Sequence, residues 1–388
     1  MSVSRPEREA AVMQQAQIEI LSIAMVTAAA CALPGAFLIL RRMAMMSDAI
    51  SHTILLGIVV GFFITHDLNS PLLVAGAAMT GVITVFLVEL VQKTGLASED
   101  SSIGLIFPFL FSIGVLLISR YAGNVHLDTD SVLLGELAFA PFDRLVVSGV
   151  DIGPKSLYVM GGILLINLLY IAVFYKELKI VTFDPALAAV LCFSPALIHY
   201  SLMTLVSVTA VGAFNAVGTI LLVALMICPP AAAFFISEKL SHMLLLSVLF
   251  GLLSAVAGYW AAFWLDVSIA GSMAVMTGVV FLAVFLLAPE KGMIALIRRG
   301  HEQKYEFAGL TLLFHLLNHE GRPDAEYESR PDTIASHFAW TPAFLQAVTR
   351  RLTASRYIEL EEGGVRITDS GRNYAAGSEM YQKTLQQA

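Results

Sequence analysis

Apolar residues form long, nearly unbroken runs as far as residue 288, and short polar segments separate the runs. A helix needs about 20 apolar residues to cross the roughly 30 Å of hydrocarbon in a bilayer. Runs of this order lie near 18–40, 47–65, 71–92, 103–119, 156–175, 196–213, 215–236, 243–265 and 267–288. Because several runs are short, the pattern predicts eight or nine transmembrane helices. The predicted fold is an all-α polytopic membrane domain over residues 1–299.

After this domain the pattern becomes that of a small soluble unit. Residues 304–320 have the spacing of an amphipathic helix, and a short helix capped by Asp332 and another capped by Thr341 follow. The segment "IELEEGGVRIT" then alternates apolar and polar residues around two glycines, which is typical of a β-hairpin. The order of helix, helix-turn-helix and hairpin predicts an α+β winged-helix domain over residues 300–388.

Composition supports this division. The chain of 388 residues is 57% hydrophobic and 14% charged, with a mean hydropathy of +0.77, which excludes an ordinary soluble protein. Residues 301–388 carry 9 Lys/Arg and 12 Asp/Glu, so charge is concentrated in the tail. The polar N-terminal segment does not predict a cleavable signal peptide.

The basic residues between the runs indicate an orientation. With nine spans, one side carries Arg41, Arg42, Lys93, Lys176, Lys179, Lys239, Lys291, Arg298 and Arg299. The other side carries Arg5, Arg8, Arg120, Arg144 and Lys155. Lys and Arg are enriched in cytoplasmic loops, so the first side and the C-terminal domain are predicted to be cytoplasmic. The loop between residues 121 and 155 is then external.

An ionisable pair lies inside the second run, in "MSDAISHTILLG". Asp48 and His52 are four residues apart and share one face of a helix. Ionisable groups at membrane depth are costly, so they usually face a cavity, a partner or an ion. A carboxylate and an imidazole are suitable ligands for Mn²⁺, Fe²⁺ or Zn²⁺. Alternatively, Ser47 or Asp48 caps the helix and His52 only makes hydrogen bonds within the bundle.

Five segments together resemble one family. They are "LRRMAMMSDAISHTILLG", "ASEDSSIGLIF", "FYKELKIVTFDPALAAVLCFSP", "VGTILLVALMICPPAAAFF" and "APEKG", in that order. They are similar to the signature segments of the permease subunits of bacterial zinc, manganese and iron ABC importers. Leu56, Cys192 and the doubled proline Pro229-Pro230 depart from the family pattern. The two prolines are expected to break the seventh span locally.

The resemblance implies roles for named residues. Asp48 and His52 would line the pathway and contact the transported ion, with Mn²⁺ preferred and Zn²⁺ or Fe²⁺ as alternatives. The segment 183–191 would be the coupling helix that docks on the ATPase, through Phe183, Asp184, Pro185 and Ala188. Asp184 and Pro185 are also suited to the start of any short helix. External His126, Asp128 and Asp130 could attract cations, or could form an ordinary solvated loop.

Partners follow from the same resemblance. No GxxxxGK[ST] segment occurs in the sequence, so the chain has no P-loop of its own and is not expected to be an enzyme. The expected partners are a cytoplasmic ATPase subunit, an extracytoplasmic metal-binding protein, a second permease copy or paralogue, and membrane lipid. The expected location is the bacterial cytoplasmic (inner) membrane. No permanently bound cofactor is expected, only the transported divalent ion.

The tail resembles the DNA-binding domain of iron- and manganese-dependent repressors, including "ITDSGRNYA" after the hairpin. Arg350, Arg351 and Arg356 cluster near its second helix, but Glu361 and Glu362 occupy the hairpin tip, where a phosphate contact needs a cation. The charge therefore opposes nucleic-acid binding and favours a protein-contact or regulatory role.

Two other functions remain open. An ion-coupled secondary metal transporter would show inverted repeats with paired broken helices, and Pro229-Pro230 offers only one such break. A membrane-tethered, metal-responsive transcription regulator would need a basic DNA-reading face. The sequence favours the importer permease over both.

Overall fold

The computed structural model describes residues 5–66, 70–121, 137–147, 150–361 and 364–377. The chain divides into two compact units, Met1–Gly292 and Met293–Ala388. The predicted boundary between residues 299 and 300 falls inside a helix that begins at Met293. The assignment of separate roles to the two parts stays a prediction.

Helices dominate the first unit. They are α1 (Arg5–Leu40), α2 (Ala44–Thr65), α3 (Pro71–Lys93), α4 (Glu99–Tyr121), α5 (Lys155–Val173), α6 (Tyr175–Phe183), α7 (Pro185–Val190), α8 (Pro195–Val217), α9 (Thr219–Ile236), α10 (Leu240–Leu265) and α11 (Ile269–Leu287). Among the described residues, nine of these, all except α6 and α7, contain a segment long and apolar enough to span a membrane. The prediction of eight or nine spans is confirmed.

The loop between α4 and α5 contains structure that the sequence pattern did not predict. A short 3-10 helix, Leu137–Phe142, precedes an antiparallel hairpin of β1 (Arg144–Val147) and β2 (Val150–Pro154). Four- and five-residue strands leave too little periodicity to be distinguished from an irregular loop by sequence pattern.

Local sequence explains where several spans begin. Ser70, Ser194 and Ser268 precede α3, α8 and α11, and each side chain accepts a hydrogen bond from a backbone N–H in the first helical turn. Proline follows two of these serines, at the first helical position, where it lacks only an N–H that would be unpaired anyway. The predicted break in the seventh span is wrong, because α9 is continuous through Pro229 and Pro230.

The first helix is the centre of the membrane unit. Within its spanning segment, Gln15–Leu40, 78% of the most apolar 18-residue stretch is buried. The helix packs against α5, α8, α9 and α10. Small residues allow these close approaches: a Cβ at Gly35 would overlap the backbone carbonyl of Met226 in α9. Helices in membranes pack most closely through such small residues.

A second close contact joins α2 to α3 and predicts a stability effect. A Cβ at Gly57 would overlap the carbonyl oxygen of Gly76 and lie 2.6 Å from Cα of Ala77. We therefore expect Gly57→Ala to destabilise the protein by about 1–3 kcal/mol, because α2 and α3 must separate. Gly162→Ala is the matched control, since a Cβ there meets nothing within 4 Å. Thermal unfolding in detergent measures both; equal melting temperatures would contradict the packing argument.

The second unit contains α12 (Met293–His319), α13 (Ala325–Glu328), α14 (Pro331–His337), α15 (Pro342–Ala354), β3 (Ile358–Glu361), β4 (Gly364–Ile367) and α16 (Asp369–Ala376). The two strands are antiparallel, with Ile358 opposite Ile367 and Leu360 opposite Val365. The core includes Leu312, Leu313, Leu316, Ile334, Leu345, Val348, Leu352, Ile358, Val365 and Ile367.

The caps of this unit partly match the prediction. Thr341 caps α15 by accepting a hydrogen bond from the backbone of Phe344, as predicted. Asp332 does not cap α14: the N-cap position belongs to Arg330, and Asp332 lies in the first turn. Pro331 sets this earlier start, because proline is favoured at the first helical position.

Candidate functional site

The Asp48–His52 pair occupies one face of α2, one turn apart. The Oδ1 atom of Asp48 is 3.5 Å from Nε2 of His52, and the side chains are 33% and 28% exposed. Neither residue caps the helix, because α2 begins at Ala44 with Met43 as a cap that makes no side-chain hydrogen bond. The Ser47 hydroxyl instead donates to the carbonyl of Ala44, within the helix. The capping explanation of the pair is therefore excluded.

Aromatic rings of α4 flank this pair. The His52 ring lies 5.6 Å from the ring of Phe107 and 6.1 Å from that of Phe111, centroid to centroid. Within the described part of the chain, no third His, Cys, Asp or Glu side chain joins Asp48 and His52 as a potential metal ligand. Asp48 and His52 are thus two potential ligands beside an apolar wall, and a complete metal shell would need further ligands from water, backbone carbonyls or another chain.

The predicted coupling segment is a short capped helix. Oδ1 of Asp184 accepts a hydrogen bond from the backbone N–H of Leu187 at 2.9 Å, and Pro185 is the first residue of α7. Phe183 is 60% exposed, whereas Ala188 is fully buried. The large apolar side chains that the segment exposes are Phe183, Leu187, Val190 and Leu191.

A polar network that no sequence motif predicted lies next to this segment. Arg41, directly after α1, donates from Nε to the Thr182 hydroxyl at 3.2 Å, and its Nη1 lies 3.2 Å from Nδ1 of His199. Nε2 of His199 is 2.6 Å from Oε1 of Glu89. The Tyr200 hydroxyl donates to the other Glu89 oxygen at 2.7 Å. The network thus links the end of α1 to α3, α6 and α8.

The geometry assigns proton positions in this network. A guanidinium can only donate, so Nδ1 of His199 accepts from Arg41 and Nε2 carries the proton directed at Glu89. Burial lowers the pKa of Arg41 from its ordinary value. The sequence signal for this network is Glu89, a lone acidic residue in the apolar run that forms α3. It did not identify the partners, because His199 lies far away in the sequence.

The external residues His126, Asp128 and Asp130 lie outside the described residues. Their suggested role in attracting cations stays a prediction.

Comparison with known proteins gives three principal matches. The sequence model of the family described as "ABC 3 transport family" matches residues 10–288. The "Zinc transport system membrane protein TroD" of Treponema pallidum is 43% identical over 358 residues, which cover 92% of this chain and 97% of TroD. The "Manganese transport system membrane protein MntD" of Bacillus subtilis is 47% identical over 290 residues, covering 75% of this chain and 98% of MntD.

A solved structure also resembles this chain in its fold. "PsaBC from Streptococcus pneumoniae in complex with Fab" matches with a TM-score of 0.60 and 28% identity, covering 72% of this chain and 94% of that chain. The matches also differ in extent. The TroD alignment is longer than the whole first unit, so it includes much of the second, whereas nearly all of MntD is matched by 290 residues.

Proposed function

The chain belongs to the ABC 3 transport family, and on that premise we propose that it is the membrane-spanning permease subunit of an ATP-driven importer of divalent transition-metal ions. Mn²⁺ is the proposed cargo, with Zn²⁺ and Fe²⁺ as alternatives. The observation that carries this proposal is the partly exposed Asp48–His52 pair within a spanning helix. The relatives' names divide between zinc and manganese, and MntD supports manganese.

The proposed ion site is shared between two permease copies or close paralogues. Each copy would contribute Asp48 and His52, which makes two carboxylates and two imidazoles, a mixed set suited to Mn²⁺, Fe²⁺ and Zn²⁺. The ring of Phe107 would exclude water from one side of the site. The ion is cargo in this proposal, so the permease holds no permanent cofactor and catalyses no reaction itself.

The ATPase subunit would dock on α7. Phe183, Leu187 and Val190 present exposed apolar side chains at a short helix, and a contiguous exposed apolar patch marks a protein or membrane interaction site. The Arg41–Thr182 hydrogen bond ties the preceding helix to the network around Glu89. Movement of the docked ATPase would therefore reach α1, α3 and α8. An extracytoplasmic metal-binding protein would deliver the ion from the other side of the inner membrane.

Removing the cap of α7 tests this docking. We expect Asp184→Ala to destabilise α7 by about 1 kcal/mol, or about fivefold in an equilibrium constant, because the N–H of Leu187 loses its acceptor. Co-purification of the ATPase subunit should fall by a similar factor. Ser268→Ala is the matched control, because it removes the equivalent cap of α11 on the predicted external side. Equal loss in both variants would count against docking at α7.

The second unit is proposed to be a cytoplasmic winged-helix-type domain with a regulatory or protein-contact role. Its support is the order of α12, α14, α15 and the β3–β4 hairpin, with the rings of Tyr357, just before β3, and Tyr374, in α16, stacked 4.5 Å apart. DNA binding is disfavoured because basic side chains already have partners within the unit: the Arg351 guanidinium stacks 4.1 Å from the Tyr305 ring centroid, and Arg366 forms an ion pair with Glu361.

Uptake measurements test the function as a whole. The chain would be expressed with its ATPase and binding protein in bacteria that lack their own high-affinity manganese uptake. Radiolabelled Mn²⁺ should accumulate only when the ATPase is active, and excess Zn²⁺ should compete more strongly than excess Mg²⁺. Accumulation without the ATPase would favour an ion-coupled secondary transporter. Altered transcription without any uptake would favour a tethered regulator.

A further inference from the structure

Histidine and glutamate side chains converge within the second unit. His315 and His319 lie one turn apart on α12, and Glu328 is the last residue of α13. One potential ligand atom from each of the three lies within 4.8 Å of the other two. His337, at the end of α14, places Nδ1 3.0 Å from Oε2 of Glu328. Three successive helices thus contribute to one cluster.

The contacts have the spacing of metal ligands. Oε2 of Glu328 is buried and accepts no hydrogen bond of good geometry, although Nε2 of His315 is only 3.4 Å away and Nδ1 of His337 is 3.0 Å away. A tetrahedral site with metal–ligand bonds of about 2.0–2.1 Å has ligand–ligand separations of about 3.3 Å. The nitrogen–oxygen distances agree with that spacing.

Burial adds a second reason for a cation here. The side chains of Glu328 and His315 are only 12% and 10% exposed. A buried carboxylate is costly unless a positive charge or hydrogen bonds compensate it. His315 also places Nε2 3.1 Å from the main-chain carbonyl of Glu328, a contact that a bound ion would replace.

A hydrogen bond to a neighbouring carboxylate fixes the tautomer of one histidine so that it can bind a metal ion. Nδ1 of His319 is 3.0 Å from Oδ2 of Asp324, which assigns the Nδ1 proton to that hydrogen bond and leaves the lone pair of Nε2 available. Metal-binding histidines usually have such a carboxylate or carbonyl partner on the second nitrogen. A cleft of about 460 Å³ lined by His315, His319 and Glu328 provides access from solvent.

We propose that His315, His319 and Glu328 form a metal site in the second unit, separate from the Asp48–His52 pair, that the half-exposed side chain of His337 turns toward the ion to supply a fourth ligand, and that the ion is Zn²⁺. Three imidazoles and one carboxylate favour Zn²⁺ over Mn²⁺, which prefers oxygen ligands. The bound ion joins α12, α13 and α14 into one rigid group. This site does not depend on the proposed transport function.

Zinc binding to the purified full chain tests the site. The protein carries Asp48→Ala and His52→Ala, so that the membrane pair cannot contribute, and Zn²⁺ affinity is measured by competition with a chromophoric chelator. One tight site is expected, together with a zinc-dependent rise in melting temperature. Co²⁺ in the same site should show the visible absorption of four-coordinate geometry.

Single substitutions identify the ligands. His319→Gln and Glu328→Gln are each expected to weaken Zn²⁺ binding by more than about 100-fold, since even changes behind the ligands cost 10–100-fold. His301→Gln is the matched control on the same helix, because His301 lies outside the cluster, against the ring of Tyr305. His337→Gln, at a half-exposed position, provides a variant that should not disturb folding. Unchanged affinity in all three cluster variants would overturn the proposal.

Discussion

Asp48→Ala and His52→Ala are each expected to reduce Mn²⁺ uptake at least about tenfold relative to the parent protein, since even changes behind metal ligands cost about 10–100-fold. Each substitution removes one of the two ligands that this chain is proposed to supply to the ion, and an incomplete shell cannot compete with water for a strongly hydrated divalent cation. Both side chains are only about a third exposed, but neither caps α2, and neither belongs to a larger hydrogen-bonded network among the residues that the structure describes. The protein should therefore remain folded.

Three controls make this result interpretable. His242→Ala removes an exposed histidine at the start of α10 and should leave uptake unchanged. Asp48→Asn preserves the shape of the side chain but removes the charge, so it should behave like Asp48→Ala if ligation is the role. Membrane abundance and ATPase co-purification must match the parent. Normal uptake in Asp48→Ala and His52→Ala would mean that the pair is structural and that the ion passes elsewhere.

The same variants address the choice of ion. Uptake of radiolabelled Mn²⁺ and Zn²⁺ should be lost in parallel if both ions use this pair. Loss of one ion alone would assign that ion to the pair and require another route for the second. Normal uptake of both ions by the variants would contradict the proposed pathway.

Glu89→Ala is expected to lower the free energy of unfolding by about 3–5 kcal/mol, the largest stability effect among these variants. Glu89 faces His199 at 2.6 Å, Tyr200 at 2.7 Å and Lys93 at 3.6 Å, and its side chain is 17% exposed. Removing the carboxylate leaves the Nε2–H of His199 and the hydroxyl of Tyr200 without their acceptor. Each hydrogen bond to a charged group contributes about 1.5–3 kcal/mol, and the loss of two together is strongly destabilising.

Thermal unfolding in detergent measures this effect. Glu238→Ala, between α9 and α10 and exposed to solvent, is the control and should change the melting temperature very little. Glu89→Gln retains an acceptor for Tyr200 and should be intermediate. A melting temperature for Glu89→Ala equal to that of Glu238→Ala would mean that the network contributes nothing to stability.

The network also predicts a defect in coupling. In Glu89→Gln, His199 is held less firmly and no longer offers Arg41 a fixed acceptor. The hydrogen bond from Arg41 to Thr182, which holds the segment before α7, is then weakened. ATP hydrolysis by the complex should then continue with less Mn²⁺ transported per ATP. An unchanged ratio in a destabilised variant would restrict the network to a structural role.

Features that depend on local pattern could be predicted from the amino-acid sequence. Run length is enough to predict the spans, because a bilayer needs a fixed length of apolar helix. Helical periodicity places Asp48 and His52 on one face, and cap chemistry predicts the starts of α7 at Asp184 and α15 at Thr341. The prediction failed at Asp332 because two start signals overlap there, and the adjacent proline sets the start of α14.

Which distant side chains meet depends on the tertiary structure. Glu89 and His199 belong to different spans, and their pairing depends on how α3 packs against α8. The histidine cluster requires the turns between α12 and α14 to bring His315 and His337 to the same carboxylate. The central position of α1 likewise depends on close helix contacts at residues such as Gly35. Such contacts arise from packing between segments far apart in the chain, and hydrophobic pattern carries no information about which segments become neighbours.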